Sequence, residues 1–272
     1  MIDWNAHLIF GPIVLPMIIA SAMLLLDERR RTLKAALSLS AMAAILVMAL
    51  VLLHESANGA VGGGDTARVY RLGSWAAPYG IVLVADRLST MMVALTSVLG
   101  GCALIFALAR WDRAGPRFHA LFLLLIMGVN GALLTGDLFN LFVFFEIMLA
   151  ASYGLALHGS GEARVRAGVI YIAVNLTASL LFLIGVSLIY GVTGTLNMAD
   201  VATRVATISV DDLGLFHIGA AVLGTAFLIK CAMWPMGFWL TPTYSAASAP
   251  AAAVFAILSK VGVYVVIRLS LL

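Results

Sequence analysis

The sequence predicts an all-α polytopic membrane protein of about eight transmembrane helices. Three observations predict it. The chain is 63% hydrophobic and only 11% charged, whereas globular chains run at about 25% charged. Its mean hydropathy is +1.08. Apolar stretches near the roughly 20 residues needed to cross hydrocarbon recur along all 272 residues and leave room for little else. They are too long and too many for β-barrel strands, and backbone in lipid must satisfy its own hydrogen bonds, so the spans are helices. One transmembrane domain over 1–272 follows.

The first span is expected over 8–26. It has no basic leader and is followed by Arg29, Arg30, Arg31 and Lys34, so it reads as a true span and not a cleavable signal. The second is expected over 33–53, and residues 54–80 form a Gly-rich polar loop with Trp75 and Tyr79 at the interface. The third span is expected over 81–109, opened by an interfacial Asp86–Arg87 pair. The fourth and fifth, 118–135 and 138–157, are joined tightly, with Asp137 and Asn140 placed to cap the fifth. The sixth, 166–190, carries Asn175, Thr177 and Ser179, which suit helix packing; Asn175 could also hold a water. Residues 191–212 read as a loop bearing Asp200, Asp211 and Asp212. The seventh and eighth spans are expected over 213–240 and 250–272.

The seventh span is too long. At 1.5 Å per residue it would measure about 42 Å, against a hydrocarbon core of about 30 Å. It also contains Pro235, whose ring would displace the carbonyl of Cys231. A break is therefore expected within about one turn of Lys230. Unwound backbone at membrane depth must face protein or a water-filled cavity, and interrupted helices point to transport sites.

Basic residues set the orientation. Nine fall on one side: Arg29, Arg30, Arg31, Lys34, Arg110, Arg113, Arg117, Arg164 and Arg166. Five fall on the other: Arg68, Arg71, Arg87, Arg204 and Arg268. The N-terminus is thus expected outside. The net charge of +3 is no nucleic-acid footprint. Cys102 and Cys231 both sit in apolar spans, and the five histidines are scattered, so neither a disulfide nor a metal, haem or other cofactor is expected.

Three charges stand inside spans: Glu146, Lys230 and Lys260. Each costs about 2.5–3.5 kcal/mol at the bilayer centre unless it pairs or meets water. Glu146 has only apolar neighbours at helical spacing on its own span, so its partner must come from another helix, and Lys230 is the candidate. Burial and an opposite charge act oppositely on proton affinity. A Glu–Lys pair whose separation changes therefore has tunable affinity on both members, as a proton relay requires. Lys260 is expected at similar depth beside Ala253 and Ala256, completing a lateral row linked by water. A lysine paired structurally with a neighbouring subunit's carboxylate is the alternative. His119, His158 and His217 lie near span ends and read first as interfacial; His217, with Asn175 and Asp137, is a further candidate for lining the relay.

TGDLFNLFVFFEIMLAASYGL closely resembles the fifth-helix segment of the D subunit of the Mrp-type multisubunit monovalent cation/proton antiporters. GSWAAPYGIVLVADRLS, ALFLLLIMGVNGALLTGDLFN, LIYGVTGTLNMADV, LIKCAMWPMGFWL and AILSKVGVYVVIRLSLL resemble segments of the same subunit, in the same order along the chain. The wider family includes the antiporter-like subunits of respiratory complex I. The resemblance implies three N-terminal helices, here 1–110, and then two inverted five-helix repeats, each with a discontinuous helix. Residues 111–272 match the first repeat, helices four to eight with a broken helix seven; the second is absent from this sequence, which would hold one half-channel of a longer protein. Glu146 matches the essential fifth-helix glutamate, Lys230 the lysine paired with it, and Lys260 the eighth-helix relay position. The implied function is proton translocation within a Na+(K+)/H+ antiporter, a secondary transporter and not an enzyme, serving pH homeostasis in a bacterial inner membrane. The implied partners are the other antiporter subunits, the lipid bilayer, protons, and Na+, with K+ or Li+ as further candidates. Two alternatives stand: a proton-pumping subunit of a complex I-type oxidoreductase or membrane hydrogenase, and a non-translocating assembly subunit.

Overall fold

The computed structural model describes residues 7–61, 67–159 and 161–270. The glycines at 62–64 within the expected polar loop, and the last two residues of the expected eighth span, lie outside the described residues. Among the described residues, six helices are long and apolar enough to cross a membrane: α2 (Arg31–Val61), α3 (Arg87–Ala107), α5 (Leu138–Ala156), α6 (Glu162–Thr193), α8 (Val210–Lys230) and α10 (Ala249–Ser270). Two shorter apolar helices, α1 (Gly11–Leu25) and α4 (Phe118–Leu134), complete the bundle. The short helices α7 (Met198–Val205) and α9 (Leu240–Ala246) lie between spans. The fold is an all-α polytopic membrane fold.

Helix α4 is the central pillar. All its residues except Leu121 and Leu124 are buried, as expected of a helix that is apolar all round. It packs on α1 and α5, while α2 pairs with α3, and α6 with α8. Glycines bring two of these pairs close. A Cβ on Gly128 would lie 2.7 Å from Met148 Cβ, and one on Gly131 would collide with the Phe144 ring. On the second pair, a Cβ on Gly185 would lie 2.8 Å from Leu223 Cβ. Without a hydrophobic drive between helices in lipid, such small residues let backbones approach.

The third span starts later than expected, at Arg87. Residues Val82–Ala85 form strand β2, paired antiparallel with β1 (Arg68–Arg71) in register Arg68↔Ala85 to Arg71↔Val82. Val82 and Val84, both β-branched, favour a strand, and Asp86 then opens the helix with a capping box on Ser89. Its ion-pair partner is not the expected Arg87 but Arg268 at the end of α10, at 2.5 Å. The expected loop 191–212 is also more ordered. Gly194, at φ +67°, stops α6; Asn197 caps α7, and Ser209 caps α8. Asp211 and Asp212 fall in the first turn of α8, where the helix dipole favours them.

The seventh span is broken. Helix α8 ends at Lys230, a 3-10 turn runs Met236–Trp239, and α9 continues through Ala246. Helix α9 thus takes up much of the stretch 241–249 that separates the expected seventh and eighth spans.

Candidate functional site

Helix α5 aims Glu146 by simple periodicity. Phe144 and Met148 face α4 through its glycines. At 100° per residue Glu146 lies about 200° from both, so it points away from α4. There it meets α6, whose Ser179 Oγ donates to Glu146 Oε1. Helix α6 runs antiparallel to α8, held by the Gly185–Leu223 contact. That register carries Ser179 alongside the C-terminal end of α8, where Lys230 Nζ donates to Ser179 Oγ at 3.0 Å.

Glu146 and Lys230 are therefore joined through a hydroxyl. Among the described residues no ion pair within 4.0 Å joins them directly. The hydroxyl has one proton and two lone pairs. It can accept from the ammonium while donating to the carboxylate. A proton can move from Nζ to Oγ as the proton of Oγ moves to Oε1, leaving a neutral lysine and a neutral glutamic acid. The sequence alone suggests only a packing role for Ser179. The signal that could have found it is its spacing: Tyr171, Asn175 and Ser179 recur every fourth residue and are all buried, a polar stripe on an otherwise apolar helix.

Apolar rings wall one side of the bridge. Phe182 and Phe227 stand 4.9 Å apart edge to face, with Phe145 6.0 Å from each. Lys230 Nζ lies 5.1 Å from the Phe145 centroid. These rings exclude water, which strengthens the electrostatics within. Lys230 is 4% exposed, whereas Glu146 is half-buried.

The break is built by backbone, and its cause differs from the expected one. Met233 N donates to Leu228 O and Ala232 N to Ile229 O, each at 3.0 Å. That is the paired pattern of a Schellman C-cap. The residue in the left-handed position is Ala232, at φ +55°. The helix has thus ended before Pro235, which prevents it from resuming and does not itself displace the Cys231 carbonyl. Trp239 Nε1 donates a second hydrogen bond to the Ile229 carbonyl at 3.1 Å. A Cβ on Gly237 would meet the carbonyl of Ala232, with the carbonyl carbon at 3.1 Å. Lys230 is consequently the last residue of α8, placed where the backbone changes direction.

The other expected residues are not gathered here. Lys260 lies on the exposed stripe of α10 with Ala253 and Val263, because Val254, Leu258, Val261 and Val265 face the bundle. Among the described residues it makes no hydrogen bond or ion pair, so the lateral row is not closed. Gly262, two residues on, does press against the break: its Cβ would lie 2.8 Å from Cys231 Sγ. His217 is exposed on α8. Asn175 is buried and donates to Tyr171 O at 3.0 Å. Asp137 caps α5, accepting from Asn140 N at 2.8 Å; burial holds its carboxyl above the usual range. It sits nine residues before Glu146, about 13 Å along the axis. No group of three or more His, Cys, Asp or Glu among the described residues could hold a metal.

Known proteins match this chain along its length. It is 56% identical over all 272 residues to a probable K(+)/H(+) antiporter D subunit of Rhizobium meliloti (strain 1021), covering 50% of that protein. It is 39% identical over 265 residues to a Na(+)/H(+) antiporter D subunit of Alkalihalophilus pseudofirmus, covering 96% of this chain and 52% of that one. The chain spans about half the length of the curated relatives it matches. A chain in the structure of the Mrp complex from Dietzia sp. DQ12-45-1b superposes with a TM-score of 0.86 at 33% identity, over 98% of this chain and 49% of that one. The family model for "NADH:quinone oxidoreductase/Mrp antiporter, TM" matches residues 135–272, which contain Glu146, Ser179, Lys230 and the break. By that match the chain belongs to the NADH:quinone oxidoreductase/Mrp antiporter transmembrane family.

Proposed function

We propose that this chain forms a proton-translocating half of the D-type subunit in a multisubunit monovalent cation/proton antiporter of a bacterial inner membrane. The observation that carries this reading is the Ser179 bridge between Glu146 and Lys230 at the end of a broken helix. Burying the Lys230 ammonium costs several kcal/mol of desolvation, and a hydroxyl between it and Glu146 gives that cost a use in proton transfer. Residues 1–110 are the N-terminal helices and 111–272 one antiporter-like repeat. Lys260, on the outer face of α10, hands the proton onward to whatever packs there. The N-terminus lies outside, on the side with fewer basic residues. The partners are other antiporter subunits, and the exchanged ion is a monovalent cation. The relatives' names support potassium alongside sodium.

The test is Glu146→Gln in the complete assembly, with exchange measured in everted vesicles on addition of K+ or Na+. Loss of cation-driven proton movement is expected. Retained exchange would sink the reading. A redox-complex module would instead show proton movement abolished by a quinone-site inhibitor.

A further inference from the structure

A second polar site lies outside the relay, on the side with more basic residues. A cavity of about 180 Å³ opens between the end of α1, the start of α2 and the segment leading into α4. Arg31, Lys34, Arg113 and Arg117 line it, against the carboxylates of Glu28 and Asp112. Lys34 Nζ is engaged with Glu28 at 2.8 Å. Arg31, Arg113 and Arg117 make no ion pair among the described residues, so the cavity has an uncompensated positive charge.

Two independent features point to a ligand. The N-terminus of α4 enters the cavity with no side-chain cap from its Arg117, which is held in the left-handed region at φ +62°; Glu28 Oε2 accepts from the Arg117 amide at 3.5 Å, and the amides after it remain for a ligand. The free N–H groups and dipole of a helix start favour an anion. Beside them, His119 is buried at 5% exposure, and its Nε2 has no hydrogen-bond partner. Its Nδ1 is fixed by Ser38 Oγ at 3.0 Å. Ser38 also donates to Lys34 O at 2.8 Å, which uses its one proton; Nδ1 must then carry the proton of the His119–Ser38 bond. Nε2 is left facing Asp112 Oδ2 at 3.9 Å, and Asp112 Oδ1 is also unpartnered and buried. A buried polar atom without a partner calls for an explanation.

We propose that this cavity binds a phosphate-bearing anion, held by Arg31, Arg113, Arg117 and the α4 N-terminus, beside the unpartnered Nε2 of His119. Basic pockets between spans on the positive side suit lipid headgroups. The apolar edge contributed by Met23 and Leu24, continuing to exposed Leu25 on α1, offers a track for an acyl chain. A membrane phospholipid and a free phosphate share this chemistry.

The experiment uses the delipidated assembly containing this chain and follows thermal unfolding after three additions: phosphatidylglycerol, phosphatidylcholine and inorganic phosphate. Phosphatidylglycerol is expected to raise the midpoint by several degrees, and phosphatidylcholine not to. Arg31→Gln with Arg113→Gln is expected to abolish the shift; both side chains are exposed, so folding should survive. Arg110→Gln with Arg166→Gln removes equal charge from the same side and should keep it. A shift with inorganic phosphate alone would support the site and assign it to a soluble anion. No shift with any phosphate-bearing addition, or equal loss in both double variants, would overturn the proposal.

Discussion

The ammonium of Lys230 donates to Ser179 Oγ at 3.0 Å, and the same hydroxyl donates to Glu146. Ser179→Ala removes that hydroxyl. It leaves Glu146 and Lys230 in place but separates them by a methyl group. A hydrogen bond to a charged group contributes about 1.5–3 kcal/mol, so cation-driven proton movement should fall at least tenfold. Ser179→Thr keeps the hydroxyl and should restore much of it. Fluorescence dequenching in everted vesicles reads both, and an unimpaired alanine variant would show that the bridge is structural.

Coupling across the bridge is a separate matter. Lys230→Met leaves the Glu146 carboxylate without its cation and should destabilise the assembly by about 3–5 kcal/mol if Glu146 stays ionised. Adding Glu146→Gln removes the stranded charge, so the double variant should be more stable than Lys230→Met alone. A double-mutant cycle on melting midpoints measures the interaction. Additive losses would mean that the two groups do not sense each other.

Backbone geometry at the helix break has a measurable cost. Ala232 adopts a left-handed conformation that costs an L-residue about 1 kcal/mol. Ala232→Gly should therefore stabilise by about that amount without loss of transport. Gly237→Ala should do the opposite, costing about 1–3 kcal/mol, because its Cβ would enter the Ala232 carbonyl. Paired melting curves of the purified assembly decide both.

Much of this is legible in the sequence, and the reasons for the remainder are physical. Composition and length suffice for the spans, because lipid leaves the backbone few alternatives. Excess length around Lys230 announces the break, but sequence logic credits Pro235. The true stop, a C-cap with alanine in place of glycine, carries no residue-level signature. The strand Val82–Ala85 merges with the third span in the sequence because four apolar residues before a helix look like the helix itself. Glu146 and Lys230 stand out by charge. Ser179 does not, since a serine in a span is ordinary unless its partners across two other helices are known. Lys260 is expected in the same row because depth along a helix can be counted, whereas the facing of α10 depends on packing.

A pH-dependent clamp joins two distant parts of this chain. Asp86 at the start of α3 accepts from Ser89 N at 2.7 Å and from Arg268 of α10. Burial opposes its ionisation, but the Ser89 amide and the Arg268 guanidinium outweigh it and hold the carboxyl below its ordinary value. A depressed folded pKa means stability that is present above the unfolded value, near 3.9, and lost as pH falls through the folded one. The contribution should be constant from about pH 5 to 8 and disappear below about pH 4. Asp86→Asn should lower the melting midpoint at about pH 7, by about 1 kcal/mol for a partly exposed pair, and should converge with the parent in acid. Parallel curves at all pH values would exclude the clamp.

Lys260 separates function from stability most cleanly. It is exposed and makes no hydrogen bond or ion pair among the described residues. Surface substitutions away from packed or paired features usually change stability by no more than about 0.5 kcal/mol. Lys260→Ala should therefore leave this chain's own packing intact. If it passes protons from the Glu146–Ser179–Lys230 bridge to a neighbouring element, the same substitution should cut cation-driven proton movement at least tenfold. Transport in vesicles and melting of the purified assembly, measured on one preparation, read the two effects independently. Lost transport with an unchanged melting midpoint would place Lys260 on the proton path. Unchanged transport would end the relay at Lys230, and a large drop in melting would mean that Lys260 is held by a partner as a structural ion.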